Sequence, residues 1–185
     1  GEPFETTRAS ETLRISRPTV AEHVRALDAT GAITVVRPFH GKGQKEIIKM
    51  PRVYGFDTGF VAFARGWDPL RPDDYGPLWE HIVLEFLETH VRGSQVQYWR
   101  WADDRKVDFI VPGTRDEVDT VECEWNPDAF DPAGLKLFRT WYPEGKNYII
   151  SPLSSAAVER HIAGLDVHVC DLEGWLERQG ASRKD

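Results

Sequence analysis

Apolar residues recur along this chain with two different periods, and each change of period marks an element. The stretch Glu5 to Leu13 has helical spacing. Ser16 then stands where an N-cap is expected, with Pro18 in the first turn, where its missing N–H costs nothing. Val20, Val24 and Leu27 repeat at i, i+4 and i+7 and form one apolar stripe, with Arg17, Thr19, His23 and Arg25 largely off it. Gly31 is placed to end that helix. The period then shortens. Ile33 to Phe39 is strand-like, and the loop His40 to Lys45 leads to a second strand, Glu46 to Met50, which completes a hairpin.

Helix, turn, helix and basic hairpin is the layout of a winged helix-turn-helix, which lays one helix in the DNA major groove and the wing along the backbone. On that reading Arg17, Thr19 and Arg25 face DNA, and Lys42, Lys45 and Lys49 meet phosphates. The same layout also serves for protein contacts, with a basic wing that is merely solvated.

Beyond the head the pattern predicts an α/β body. After Val53 to Phe56 comes a short helix, Thr58 to Ala64, for which Asp57 is the cap. Gly66 to Gly76 is the expected boundary, giving units of 1–66 and 67–185. Pro77 to Val91 is the strongest helix, with a stripe of Leu78, Trp79, Ile82, Val83, Phe86 and Leu87. Strands are expected at Val96–Trp101, Lys106–Val111 and Val118–Trp125, then a helix at Pro132–Trp141 and a strand at Tyr148–Ile150. A helix around Ala156–Ile162, a strand at Val167–Val169 and a helix at Leu172–Gln179 close the chain. Strands first adjacent and then alternating with helices imply a mixed sheet flanked by helices.

Within that body the acidic residues attract attention. In the strand from Lys106 to Val111 a period of two puts Val107, Phe109 and Val111 on one face and Asp108 on the other. In Val121-Glu122-Cys123-Glu124-Trp125 the two glutamates project together. If the strands pair, Asp108, Glu122 and Glu124 converge, and Glu80 reaches in from the preceding helix. Crowded carboxylates repel one another unless a cation compensates them, and oxygen-only ligands select Mg²⁺ or Mn²⁺. Such ions activate water against phosphodiesters. The alternative is that Asp108 opens a turn and the two glutamates lie on a solvated edge.

Composition narrows the classes. The chain has 185 residues, 41% hydrophobic and 11% aromatic, which fits a folded protein and not a disordered one. Its net charge is -7, yet residues 1–50 hold eight Lys or Arg against six Asp or Glu, so a slightly basic head precedes an acidic body. Only the charge within about a Debye length of a phosphate matters to DNA, so an acidic total does not exclude DNA binding. No stretch approaches the ~18 uncharged apolar residues of a membrane span. Cys123 and Cys170 form no CxxC pair, so a reducing cytoplasm is expected. The sequence contains no GxxxxGK[ST] loop and should not hydrolyse ATP by itself. Its first residue is Gly1 and not Met, as expected of a trimmed chain.

Glu80, the run Lys106-Val107-Asp108-Phe109-Ile110 and Glu122-x-Glu124 together resemble the PD-(D/E)XK, restriction-endonuclease-like fold. The whole chain resembles the region C-terminal to the ATPase module in bacterial and archaeal AAA+-type ATP-binding proteins, a region catalogued mainly as a domain of unknown function. Ser16-Arg17-Pro18-Thr19-Val20, Val53 to Gly59, Leu78-Trp79-Glu80, Tyr98-Trp99-Arg100, Val107-Asp108-Phe109 and Glu122 to Trp125 carry the resemblance, in family order. It implies that Asp108 and Glu122 bind a divalent ion and that Glu80 supports the ion or its water. It also implies an absent N-terminal ATPase module as partner. Where the family usually has Lys, this sequence has Glu124. Glu124 is then either an extra ligand or base, or the mark of a degenerate site.

The remaining candidates are weaker. His81, His90, His161 and His168 lack zinc spacing. Ser151, Ser154 and Ser155 lack a nucleophile elbow. Tyr98, Trp99 and Trp101 suit core packing better than base stacking. Arg100 is a candidate phosphate contact, and an ion pair with Asp103 or Asp104 accounts for it equally well. Three function classes follow: a metal-dependent DNA endonuclease, a catalytically silent DNA-binding module of the same fold, and a region that docks on its ATPase module or self-associates.

Overall fold

The computed structural model describes residues 1–41, 46, 50–91, 95–113, 117–154 and 157–181. Its N-terminal part contains β1 (Glu2–Pro3), α1 (Thr6–Leu13), α2 (Arg17–Ala29), β2 (Ile33–Pro38), β3 (Arg52–Gly55) and α3 (Thr58–Arg65). Local chemistry sets these boundaries. The Ser16 hydroxyl accepts the Thr19 N–H at 3.2 Å and starts α2. At the other end Gly31 N–H reaches the Asp28 carbonyl and Ala32 N–H the Leu27 carbonyl, both at 3.0 Å, the double bond of a Schellman ending. Asp57 caps α3 by accepting the Phe60 N–H at 2.7 Å. Of the expected α2 stripe only Val20 is fully buried, and Leu27 is 45% exposed.

The hairpin differs from its expected form. The antiparallel partner of β2 is β3, with Ile33 opposite Gly55 and Val36 opposite Arg52. Glu46 lies on the body instead, bridged to Trp101, and its carboxylate accepts the Trp99 indole N–H at 3.0 Å and the Tyr142 hydroxyl at 2.6 Å. Long-range polar satisfaction of a buried carboxylate decides this placement, and no local pattern announces it. Lys42, Lys45 and Lys49 lie outside the described residues.

The body contributes α4 (Pro72–His90), β4 (Gln97–Arg100), β5 (Lys106–Pro112), β6 (Val118–Cys123), α5 (Ala133–Trp141), β7 (Asn147–Ile150), β8 (Val158–Ile162), β9 (Leu165–Cys170) and α6 (Leu172–Ala181). α4 starts five residues before the expected Pro77, because the Asp74 carboxylate accepts the Arg71 N–H at 2.8 Å and caps an earlier turn. Val158–Ile162 is a strand and not a helix. It turns back on β9 through Ala163 and Gly164, whose φ values of 53° and 89° suit a two-residue hairpin turn.

The nine described strands form one mixed sheet in the order β1-β3-β2-β4-β5-β6-β7-β9-β8. The sheet crosses the division expected at residue 66, because β2 runs parallel to β4, with Arg37 opposite Gln97. β6, β7 and β9 are parallel neighbours, and all four residues of β7 are buried, as strands covered on both faces require. One face packs Trp79, Val83 and Leu87 of α4 and Trp175 of α6 on Phe109, Val121, Tyr148 and Ile150. The opposite face packs Leu135 and Phe138 of α5 on Trp99, Val107, Ile110 and Ile149. Tyr98, Trp99 and Trp101 are all buried, so they serve packing. No helix among the described residues is long and apolar enough to cross a membrane.

Candidate functional site

A bulge in the sheet builds the site. Gln97 stands opposite Ile110 and Trp99 opposite Val107, so Asp108 and Phe109 together face the single residue Tyr98. The extra residue re-aims the strand. Val107 therefore packs in the α5 core while Phe109 packs in the α4 core, which corrects the expectation that Val107, Phe109 and Val111 share a face. The β5–β6 ladder is registered from Phe109–Val121 to Pro112–Val118 and does not extend to Asp108 and Glu122. There two carboxylates replace it. Asp108 N–H donates to Glu122 Oε2 at 3.2 Å, and Cys123 N–H donates to Asp108 Oδ2 at 3.2 Å.

A cleft of about 550 Å³ opens at this junction, lined by Glu80, Lys106, Asp108, Glu122, Glu124 and Gly134, among others. All four acids expected at the site line it. Gly134 lets the first turn of α5 approach β5, since a Cβ there would lie 2.0 Å from the Lys106 carbonyl oxygen. A neighbouring cavity of about 830 Å³ shares Pro77, Glu80, Asp104 and Lys106 with the cleft and adds Arg52, Tyr98 and Arg100.

Two cations, neither singled out from the sequence, sit among these acids. Lys106 Nζ donates to Asp108 Oδ1 at 2.6 Å. Arg52 Nη2 lies 2.8 Å from Glu80 Oε1, and Nη1 lies 3.8 Å from Asp108 Oδ1. Glu80 also accepts the Tyr54 hydroxyl at 2.6 Å. It is thus tied to Arg52 and Tyr54 and shares the Arg52 guanidinium with Asp108. Lys106 had a legible signal, because residues two apart on a strand share a side. Arg52 had none, since it arrives from a strand more than fifty positions away.

The acids respond unequally to this setting. Burial opposes the Asp108 charge, but Lys106 and Arg52 outweigh burial and hold its carboxyl below the ordinary range. Glu122 moves the other way: burial, and then the Asp108 charge, push it well above the usual value. Half-buried Glu124 rises from 4.5 to about 7 through burial and the same neighbouring charge. The Asp108 charge in turn holds the Lys106 ammonium above its ordinary value. Burial raises the Cys123 thiol well above its usual range, which leaves it a poor nucleophile.

Asp108 and Glu122 are hard oxygen donors of the kind Mg²⁺ and Mn²⁺ take. In this structure their oxygens serve hydrogen-bond donors. Asp108 Oδ1 holds an ammonium, its Oδ2 holds a backbone N–H, and Glu122 Oε2 holds another. Among the described residues no group of three or more His, Cys, Asp or Glu side chains is placed to hold a metal.

The DNA-facing candidates lie elsewhere. Arg17 and Arg25 are exposed on α2, and Thr19 is half-buried with its hydroxyl 2.8 Å from that of Ser16. Arg25 Nε donates to the Ala21 carbonyl of its own helix at 3.2 Å. None of these three lines the cleft or the cavity. Arg100 pairs with Asp104 at 2.6 Å.

Comparison with known proteins gives three kinds of match. A family model described as a domain of unknown function (DUF8612) matches residues 1–71. An uncharacterized protein of Mycobacterium bovis and one of Mycobacterium tuberculosis are each 25% identical over 115 residues, covering 60% of this chain. The chain spans about a quarter, 26%, of the length of these relatives. Among solved structures, a chain from an assembly of Thermococcus gammatolerans McrB AAA+ hexamers with bound McrC is similar at a TM-score of 0.40 and 11% identity. That alignment covers 90% of this chain and 44% of the other.

Proposed function

We propose that this chain is a DNA-binding, nuclease-like region of an AAA+-type ATP-binding protein, with a winged-helix part at 1–66 and a PD-(D/E)XK-like part at 67–185. In this reading its acidic cleft grips DNA without cutting it. The observation that carries the reading is the Lys106 ammonium on Asp108, 2.6 Å away, where a catalytic cleft would hold a metal ion. Interlocked Asp108 and Glu122 on neighbouring strands support the nuclease-like architecture, and exposed Arg17 and Arg25 on a capped helix support the DNA contact.

The test is fluorescence anisotropy with a labelled DNA duplex over rising salt, with a cleavage assay in Mg²⁺ and Mn²⁺ alongside. Affinity should fall steeply with salt, the Arg17→Glu/Arg25→Glu pair should weaken it, and the DNA should stay intact. Cutting that Asp108→Ala abolishes would make the chain an active endonuclease. A protein without DNA affinity at low salt would be a docking region for its ATPase module or for a second copy. A specific observation favours that second reading at the N-terminal end, where Phe56, Phe60 and Phe63 are exposed, Phe63 by 85%.

A further inference from the structure

Lys106 occupies the junction of the cleft and the larger cavity, and its side chain is 51% exposed. Its ammonium carries three donors, of which the bond to Asp108 Oδ1 uses one. Behind it lies Arg52, 8% exposed and clamped between Tyr54 and Tyr98, with its guanidinium carbon 5.7 Å from each ring centre. Arg52 Nη2 is used by Glu80 and by the Gly1 carbonyl. Arg52 Nη1 is buried and has no hydrogen-bond partner among the described residues, although it stands 3.8 Å from Asp108 Oδ1. A buried guanidinium N–H without an acceptor is costly, and an oxyanion is the partner it matches best. The first turn of α5, at Ala133 and Gly134, lines the cleft on the other side of Lys106 from the Arg52 cavity and presents the positive end of its helix.

We propose that Lys106, backed by Arg52, is a phosphate-binding group that takes a non-bridging oxygen of a nucleic-acid phosphodiester at the place a divalent ion would otherwise hold. The proposal rests on the DNA-binding reading above and names the group by which the cleft serves it. The ammonium bridges: one donor stays on Asp108 and a second reaches the phosphate, so no metal is needed. Asp108, Glu80 and Glu124 oppose the incoming charge, and this gives the proposal a test with two opposite signs.

Duplex DNA affinity is measured by anisotropy in chelator, as a function of salt, for the full chain and three variants. Lys106→Gln should bind about tenfold more weakly and with a salt slope reduced by about one. Lys106→Arg should restore the slope. Asp108→Asn, which removes the opposing charge, should bind several-fold more tightly, and adding Mn²⁺ should leave the unmodified chain unchanged. Lys106 is half-exposed, so its variants are read with their thermal melts as the check on folding. A Lys106→Gln protein that melts like the unmodified chain and binds DNA with the same affinity and slope would overturn this proposal and leave the DNA-binding reading intact. An unmodified chain without any DNA affinity would overturn both.

Discussion

The helices before residue 66 and those after it are held by different means. Among the described residues α1 and α3 bury no side chain and α2 buries only Val20, whereas α4 buries six and α5 three, Leu135, Phe138 and Arg139. α2 and α3 are bounded by caps, Ser16, Asp57 and the paired hydrogen bonds after Ala29, while α1 has no side-chain cap. The later ones depend on apolar area covered by the sheet, with polar groups such as Arg139 and Trp79 bonded to buried carbonyls. The difference teaches where function is placed. A face left unburied is open to contact, and a sheet covered on both faces is what holds the cluster of charge in place.

The sharpest way to break this contrast is to empty the body core. Phe138 is fully buried on α5 and meets Trp99, Tyr142 and Phe39 at ring-centre distances of 5.4, 4.8 and 6.0 Å. Phe138→Ala should cost about 3–5 kcal/mol in denaturant unfolding. A loss below about 1 kcal/mol would mean that α5 does not anchor the body, a result typical of surface positions.

A smaller effect is expected from the caps. Ser16→Ala and Asp57→Ala should each cost about 1 kcal/mol. Hydrogen exchange should show the loss confined to residues 17–29 or 58–65, with β5 to β7 still protected. Equal loss of protection in the sheet would merge the two regions into one cooperative unit and remove the contrast.

A further test uses pH. Glu124 titrates near 7 in the folded chain against 4.5 ordinarily, so the folded state holds its proton after the unfolded state has released it. Stability must then fall as pH rises from about 4.5 through about 7. Glu122 is raised and works in the same direction, while Asp108 is lowered and costs stability only on the acid side. The denaturation midpoint should drop between about pH 5 and pH 8, and Glu124→Gln should flatten that drop. An identical drop in the variant would show that the Glu124 carboxyl is not desolvated in the cleft.

Much of the fold was legible wherever its cause is local. Ser16 with Pro18, Gly31 and Asp57 each act over a few residues, and the elements they announce lie where the sequence puts them. α4 began earlier than its apolar stripe because a single carboxylate, Asp74, extended it. β8 read as a helix because its five residues are mostly exposed, and an exposed strand carries little periodic signal. At the cleft, Glu80, Asp108, Glu122 and Glu124 were legible as acids on the right elements, and all four line it. The role of each was not. Glu80 is tied to Arg52 and Tyr54 because β3 lies beside β2 and beneath α4, an outcome of long-range pairing.

The positions of most helices and strands, the caps that bound α2 and α3 and the alternation that sets Asp108 against its strand neighbours follow from the amino-acid sequence by itself, because hydrophobic period and capping act between near neighbours. The partner of β2, the bulge that turns Asp108 and the two cations that neutralise it were decided only in the tertiary structure. Each depends on residues far apart in the chain meeting at a distance of a few ångströms, where charge, burial and unpaired N–H groups must be balanced together.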